Sequence, residues 1–306
     1  MRRLTTERAA AARRFLFEHG RPLDQSLYAF AFEGGPADAV LDRLAGYQNA
    51  DGGFGHALEP DVRLADSSVI ATTVALQTLR TVGAEASHPL VIGAVQYLLD
   101  TLDHKTLVWS LVPPNVDDAP HAPWWNPRNA EEPPTGFTAN PGAEIVGHFH
   151  HYASLVPADL LERLTAAALA HIRGMRVEKM HDLFCYEAMR KTHAVPVELR
   201  AELLGLARPL IAQVVVTDPA KWTGYCTRPL DVIDSPGSPY HDTFRDAVAL
   251  NLDWLIETQQ PDGAWSPHWS WGPDGGEAWE QSKRDWQGHL IVKHLKTFHA
   301  FGRLAV

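Results

Sequence analysis

Residues 41–83 read LDRLAGYQNADGGFGHALEPDVRLADSSVIATTVALQTLRTVG, and residues 251–272 read NLDWLIETQQPDGAWSPHWSWG. Both stretches contain an apolar segment, a Gln, an Asp-Gly pair and an aromatic residue in the same order, at 48–54 (QNADGGF) and at 259–265 (QQPDGAW). Glycine adopts backbone angles that other residues resist, so each Asp-Gly pair predicts a tight reversal between two helices. The repeated pattern therefore predicts a fold that is built from helical hairpins.

The segments on either side of these turns have the spacing of helices. Apolar residues recur every three or four positions through 37–47, 244–255 and 291–298, which places them on one face of a helix in each case. No series of alternating apolar and polar residues with hairpin turns is found. The chain is therefore predicted to be all-α.

The turns resemble a motif of a known superfamily. The QW motif of terpenoid cyclases, Gln-x-x-x-Gly-x-Trp, is matched by Gln259, Gly263 and Trp265, and the first turn matches it with Phe54 in place of the Trp. Residues 52–76 also resemble the repeat of protein prenyltransferase β-subunits, in which a Gly-Gly-Phe turn leads into a Thr/Ala-rich inner helix. Resemblance to this terpenoid cyclase and protein prenyltransferase superfamily implies a single (α/α)6 toroid, or barrel, of helical hairpins.

We expect one domain over residues 1–306. The distance between the two turns corresponds to four or five helical hairpins of roughly 40–50 residues, and the two ends of the chain complete the ring. Two long Pro/Trp-rich loops interrupt the pattern, at 112–141 and at 217–239. Loops of this length in a compact domain are usually functional lids or disordered segments. We expect the first loop to cover the mouth of a cavity.

Composition limits the classes of partner. The net charge of −10 does not suit nucleic acid, whose phosphates require clustered Lys and Arg. The basic N-terminus lacks the apolar core of a signal peptide, and no run approaches the roughly 18 apolar residues of a membrane span. With only two cysteines, Cys185 and Cys226, a disulfide framework is not expected, and a cytoplasmic location fits.

The first candidate site follows the first turn and has the sequence Glu-Pro-Asp-Val-Arg at 59–63. In protein prenyltransferases a Glu-x-Asp-x-Arg run occupies this place and faces the central cavity. The resemblance implies that Glu59, Asp61 and Arg63 point at the site, with Glu59 and Asp61 catalytic and Arg63 binding the ligand. We also expect His56, in the preceding turn, to bind the ligand. A structural interpretation stays open, in which Glu59 and Arg63 form an ion pair and residues 66–68 cap the next helix.

The second candidate is Asn-Val-Asp-Asp at 115–118, which gives Asp117 and Asp118 as further catalytic candidates. Class-two cyclases protonate an alkene with an Asp-x-Asp-Asp motif, whose acid must stay protonated in an apolar cavity. Here Asn115 stands where the motif begins. The alternative is a solvated turn, because Asp and Asn favour turns.

Tryptophan is abundant, with 10 residues in the chain. We expect four of them to bind ligand: Trp124, Trp125, Trp269 and Trp271. Ring faces stabilise carbocations through cation–π attraction, and they also stack on sugars. The pattern therefore favours an apolar or sugar-like ligand.

Histidine is also abundant, and His148, His150 and His151 lie close together. Protein prenyltransferases bind zinc through Asp, Cys and His, but their Asp-x-Cys element is missing here, as is His-Glu-x-x-His. We therefore expect no metal and no cofactor.

These observations lead to one principal prediction and two alternatives. The principal prediction is a terpenoid-cyclase-like enzyme that cyclises or isomerises a small apolar, isoprenoid-like ligand in an aromatic-lined central cavity. The first alternative is a carbohydrate-active α/α-barrel enzyme with paired carboxylates, either Glu59 with Asp61 or Glu144 with Glu280. The second is a non-catalytic binding or scaffold protein, since fold does not determine function.

Overall fold

The computed structural model describes residues 2–126, 135–176 and 180–305. Helix accounts for 62% of the structure, which confirms the all-α prediction. The helices described are α1 (Thr6–His19), α2 (Pro22–Phe32), α3 (Ala37–Ala45), α4 (Val69–Thr81), α5 (Pro89–Asp100), α6 (Ala139–His151), α7 (Ala158–Gly174), α8 (Met180–Lys191), α9 (Val197–Val214), α10 (Pro229–Val232), α11 (His241–Thr258) and α12 (Gly276–Ala300). Within these ranges the named strands are β1 (Leu102–Asp103) and β2 (Val108–Trp109), which pair antiparallel. None of the described helices has the length and apolar character needed to span a bilayer.

The contacts of the chain divide it into two compact units. Unit 1 comprises Met1–Arg43 and Val214–Val306, and unit 2 comprises Leu44–Gln213. In unit 1, α1 and α2 both pack on α12, and α10 packs on α11. The two ends of unit 1 are joined by a parallel bridge between Leu4 and Leu304.

In unit 2, α6 is the central helix and packs against α4, α7 and α8. Its approach to α8 is close, since a Cβ atom on Gly147 would lie 2.8 Å from the Cα of Met189. Most of α6 is buried, including Ile145, Val146 and Phe149. Burial at this level means that any polar group on α6 needs a partner inside the protein.

The first predicted turn connects α3 to α4. Gln48 Nε2 donates to the carbonyl oxygen of Gly52 at 2.9 Å and to that of Leu90, at the start of α5, at 3.2 Å. Gly52 has a φ of 85°, and a Cβ atom there would lie 2.6 Å from the carbonyl oxygen of Gly93 in α5. The Phe54 ring is fully buried. Gln48 thus ties the turn to the next helical hairpin in the sequence.

The second predicted turn connects α11 to α12 and uses the same contacts. Gln259 Nε2 donates to the carbonyl oxygen of Gly263 at 2.8 Å and to that of Arg8, in α1, at 3.0 Å. Gly263 has a φ of 99°, and a Cβ atom there would lie 2.5 Å from the carbonyl oxygen of Ala11. The Trp265 ring is buried in the position of the earlier Phe. The repeat that the sequence predicted is therefore a repeat of hydrogen bonds and of close backbone contact.

The N-cap of the helix after the first turn lies two residues after Asp66, the acidic residue that could have capped it. Ser68 is the N-cap of α4, and its side chain accepts a hydrogen bond from the backbone nitrogen of Ala71 at 3.1 Å. Asp66 instead accepts a hydrogen bond from Asn115 Nδ2 at 2.7 Å. One of the predicted capping residues therefore holds the neighbouring loop rather than the helix.

Candidate functional site

The predicted acidic segments at 59–63 and 115–118 lie on two loops of unit 2 that pair through their backbones. The backbone nitrogen of Arg63 donates to the carbonyl oxygen of Pro120 at 3.0 Å, and that of Ala122 donates to the carbonyl oxygen of Asp61 at 2.9 Å. A small apolar cluster that includes Val62 and Val116 holds the loops together. The structure thus brings the two acidic segments into one region, which we call the acidic turn.

Within the acidic turn, the two segments differ in their exposure to solvent. Glu59 and Asp61 are buried, whereas Asp117 and Asp118 are exposed. Asp117 Oδ1 lies 3.4 Å from His121 Nε2 on the same loop. A carboxylic acid that protonates an alkene needs apolar surroundings, and the environment of Asp117 and Asp118 is instead that of a solvated turn.

His56 lies at the edge of the acidic turn, and its backbone conformation is unusual. His56 and Ala57 have φ angles of 56° and 60°, in the left-handed region that few non-glycine residues adopt. The exposed His56 ring is hydrogen-bonded through Nε2 to Asn49 Oδ1 at 2.9 Å. Arg63 is half-buried, and its Nη1 donates to the carbonyl oxygen of Pro60 at 3.4 Å. The local role of both side chains is to hold this turn.

The neighbouring tryptophans Trp124 and Trp125 have different environments. Trp124 is 47% exposed. Trp125 is half-buried against the apolar cluster of the paired loops, and none of the described residues accepts a hydrogen bond from its Nε1. Of the two rings, Trp124 is the one that is open to a ligand. Residues 127–134 of the predicted loop lie outside the described residues.

Trp269 and Trp271 lie in unit 1. Trp269 belongs to a series of neighbouring rings, with centroid distances of 5.3 Å from Tyr225 to His268, 5.0 Å from His268 to Trp269 and 5.1 Å from Trp269 to Trp286. Tyr225 is exposed, and the other three rings are partly buried. Trp271 is buried, so its ring supports the fold at this position. We call Tyr225, His268, Trp269 and Trp286 the aromatic series.

Glu280, the partner of Glu144 in the carbohydrate alternative, lies near the start of α12 in unit 1. It lines an open cleft of about 790 Å³ together with Trp279 and Arg284. Its side chain is exposed to solvent, and Lys283 Nζ lies 3.5 Å from its Oε2. Its environment is therefore that of a surface ion pair.

A further group of polar side chains, of which the sequence motifs indicate only Glu144 as a catalytic candidate, lies between α4 and α6. We call Gln77, Arg80, Glu144 and His148 the polar cluster. Gln77 Nε2 donates to Glu144 Oε1 at 2.9 Å, and Arg80 Nη1 lies 3.3 Å from His148 Nδ1. His148 is 1% exposed, Glu144 and Arg80 are partly buried, and Gln77 is exposed. The polar cluster therefore extends from the surface into the interior of unit 2.

The contacts of His148 determine its tautomer. Arginine can only donate a hydrogen bond, so Nδ1 must accept from Arg80, and the neutral ring then carries its proton on Nε2. Burial lowers the pKa of His148, the charge of Arg80 lowers it further, and Glu144 opposes both effects only in part. The ring is therefore neutral near pH 7. Its Nε2 lies 3.7 Å from Glu144 Oε1, which is longer than a hydrogen bond, and no described residue accepts from it.

Cys185 lies close to the polar cluster, on α8. Its Sγ is 3.7 Å from Asn140 Oδ1. Burial raises the pKa of the Cys185 thiol well above its usual value, and the charges of Glu144 and Asp182 raise it further. A thiol that stays protonated is a poor nucleophile and a poor metal ligand. Cys185 therefore does not supply a nucleophile to this region.

The sequence did contain one signal for the polar cluster. Glu144 and His148 are four residues apart in the segment Ala-Glu-Ile-Val-Gly-His-Phe at 143–149. All the remaining residues of this segment are apolar or small. Residues at this spacing lie on the same face of a helix. A Glu and a His on the buried face of an apolar helix indicate a site, whereas the grouping of histidines at 148, 150 and 151 raises only the question of a metal. His150 instead contacts Thr165 Oγ1 at 3.0 Å.

Acidification is expected to destabilise the protein, because partial or complete burial lowers the pKa of several histidines in the folded chain. Burial lowers the pKa of His289 to about 4, and the nearby Asp24 carboxylate offsets this only in part. Above pH 6.5 the ring is neutral in both the folded and the unfolded chain. As the pH falls from 6.5 towards 4, only the unfolded chain takes up the proton, which lowers the free energy of unfolding by about 2 kcal/mol at pH 5.

Urea denaturation between pH 7.5 and pH 5 measures this effect. We expect His289→Gln to lose a large part of the pH dependence, whereas the exposed His19, replaced in the same way, leaves it unchanged. Equal pH dependence in the His289→Gln variant and the unmodified protein would show that His289 does not bury a neutral ring.

In the described part of the chain, no three His, Cys, Asp or Glu side chains are grouped as metal ligands would be. The residues that can do chemistry are instead the buried carboxylates of the acidic turn and the polar cluster.

Comparison with protein-family models found no match for the chain, and comparison with curated proteins found none. The assignment of function therefore depends on the geometry of these side chains and on the chemistry that they can support.

Proposed function

We propose that the chain is an enzyme that cyclises or isomerises an isoprenoid or similarly apolar substrate, with the polar cluster as its acid–base group. The observation that carries this proposal is the position of the buried His148 beside Glu144, a carboxylate that reaches towards solvent. Buried ionisable side chains add little to stability, and they concentrate at functional sites. Two ionisable groups in such different environments are suited to proton transfer.

Both reactions include a step in which carbon loses a proton. Isomerisation moves a proton from one carbon to another, and cyclisation ends when a carbocation loses one. Glu144 is the group of the polar cluster that can accept this proton, because its carboxylate is held by Gln77 at 2.9 Å and by no described cation at hydrogen-bond distance. A base positioned in this way contributes about 10²–10⁴-fold to a rate.

The proposal includes the (α/α)6 toroid that the turns suggest. Gln48 ties the turn before α4 to α5, the helix that follows α4 in the sequence, and Gln259 ties the turn before α12 to α1 by an equivalent hydrogen bond. The two turns are equivalent in this respect, so the relation of α1 to α12 corresponds to the relation of α5 to α4. In the proposed toroid, α4 and α12 are inner helices.

Considered by itself, the aromatic series of unit 1 suits an apolar ligand. Its rings lie edge to face or stacked at centroid distances near 5 Å, and Tyr225 is exposed. Ring faces of this kind attract a cation by about 0.5–2 kcal/mol each. The arrangement suits the cyclisation or isomerisation of an isoprenoid better than transfer of a charged group.

A carbohydrate-active enzyme is the second candidate, and the acidic turn favours it. Glu59 and Asp61 are buried carboxyl residues, and the paired loop carries the exposed ring of Trp124. Glycosidases use two carboxyl groups beside a bound sugar, and sugars stack on exposed tryptophan rings. In this case Asp61, and not Glu144, would be essential.

One panel of substrates tests both candidates. The purified protein is incubated with prenyl alcohols and prenyl diphosphates of increasing length, and separately with oligosaccharides, and the products are identified by mass spectrometry. We expect cyclised or isomerised prenyl products whose formation requires Glu144. Cleavage of an oligosaccharide that requires Asp61 would establish the second candidate instead, and binding without any turnover would indicate a non-catalytic protein.

A further inference from the structure

The polar cluster contains a hydrogen-bond donor for which the described part of the chain supplies no acceptor. His148 is almost completely buried, and Arg80 fixes its proton on Nε2. Glu144 Oε1 is the nearest carboxylate oxygen, at 3.7 Å, and this is too far to accept the proton in a hydrogen bond. Leaving such a donor without an acceptor is unfavourable, because it has lost its hydrogen bond to water. A bound group that accepts from Nε2 would remove this cost.

The surroundings of Nε2 determine which chemical group fits there. The group must accept a hydrogen bond from His148 and also tolerate the carboxylate of Glu144 at its side. A carboxylate or phosphate would be repelled by Glu144, a carbonyl would offer it no proton, and an ammonium could not accept from Nε2–H. A hydroxyl group meets both requirements, because it accepts one hydrogen bond and donates another.

The dimensions of the site allow this arrangement. An oxygen atom about 2.8 Å from both Nε2 and Oε1 lies to one side of the 3.7 Å line that joins them, with ordinary hydrogen-bond lengths to each. Gln77 holds the carboxylate in place at 2.9 Å and is itself exposed. The polar cluster therefore reaches the surface of unit 2 at Gln77.

We propose that His148 and Glu144 bind the hydroxyl group of an alcohol, which accepts a hydrogen bond from Nε2 and donates one to the Glu144 carboxylate. This inference extends the proposed function. The hydroxyl group of the ligand is inferred from His148 and Glu144 alone, whereas the apolar remainder of the ligand rests on the proposed function. It assigns a prenyl alcohol, or a related apolar alcohol, as the ligand class. The diphosphate form of the same chain does not fit this place because of the charge of Glu144.

Two matched probes test the proposal on the full-length protein. Prenol, a small prenyl alcohol, can both accept and donate a hydrogen bond, whereas its methyl ether can only accept. The signal is the ¹⁵N resonance of His148 Nε2 in protein with labelled histidine, identified by its loss in His148→Gln. Glu144→Gln removes the charged acceptor, and Glu162→Gln, an exposed change on α7, is the control.

We expect prenol to shift the His148 resonance in a saturable way, and the methyl ether to need at least about tenfold higher concentration. Glu144→Gln should weaken prenol binding by about tenfold or more, and Glu162→Gln should leave it unchanged. If the ether binds as well as the alcohol, or if Glu144→Gln binds prenol normally, the hydroxyl assignment is wrong. An unchanged resonance with both probes means that water or nothing occupies the site, and it also overturns the proposal.

Failure of this inference can be told apart from failure of the proposed function. If prenol binds at His148 but no isoprenoid is converted, the proposed function falls and the alcohol site stands. If isoprenoids are converted while prenol leaves the His148 resonance unchanged, the alcohol site is wrong and the proposed function stands. Should Glu144→Gln not fold, the comparison of prenol with its ether on the unmodified protein still decides the matter.

Discussion

Replacing Gly263 by alanine is expected to lower the free energy of unfolding by about 2–5 kcal/mol. A Cβ atom at this position would lie 2.5 Å from the carbonyl oxygen of Ala11 and 2.6 Å from the backbone nitrogen of Ala12. These are backbone atoms of α1, which cannot move aside as the end of a flexible side chain can. The φ of 99° adds a second cost, because a Cβ atom is disfavoured in that region.

Gly302 provides the matched control for this prediction. It also lies in unit 1 and has a positive φ, of 62°, but a Cβ atom there would meet nothing within 4 Å. Gly302→Ala is therefore expected to cost only the backbone term, about 1–2 kcal/mol. Urea denaturation of both variants at the same pH measures the difference. Equal costs would mean that the turn after α11 does not press against α1.

The turns could be predicted because everything that they need is local. A Gln, an Asp-Gly pair and an aromatic residue within seven positions determine the reversal, and the structure adds a hydrogen bond from Gln48 to Leu90 and from Gln259 to Arg8. Those acceptors lie far away in the sequence, and no local pattern identifies them. Local chemistry therefore predicts where the chain turns, whereas tertiary packing decides what the turn holds.

The candidate sites show the same limit. The acidic residues at 59–63 were visible as a motif, but the pairing of Asp61 with Ala122 depends on a loop sixty residues away. The polar cluster was harder to recognise, because Gln77 and Arg80 are ordinary residues of a helix until α6 is packed beside them. Only the four-residue spacing of Glu144 and His148 was available in the sequence.

Glu144→Gln is expected to reduce the turnover of an isoprenoid substrate by about 10²–10⁴-fold, because the amide cannot accept the proton that a carboxylate accepts. The change should leave the fold intact. Glutamine keeps the volume of the side chain and an oxygen that can accept from Gln77, so the loss of stability should stay within about 1 kcal/mol. A low rate with an unchanged thermal midpoint would separate a chemical role from a structural one.

Two further variants complete this test. Glu162→Gln changes an exposed carboxylate on α7 and should retain full turnover. Asp61→Asn changes the buried carboxylate of the acidic turn, and in the polar-cluster mechanism its effect should appear in stability more than in the rate constant. If Asp61→Asn instead abolishes turnover while Glu144→Gln leaves it normal, the chemistry belongs to the acidic turn. The buried carboxylates beside Trp124 would then be the catalytic groups, and the polar cluster would serve only to bind α4 to α6.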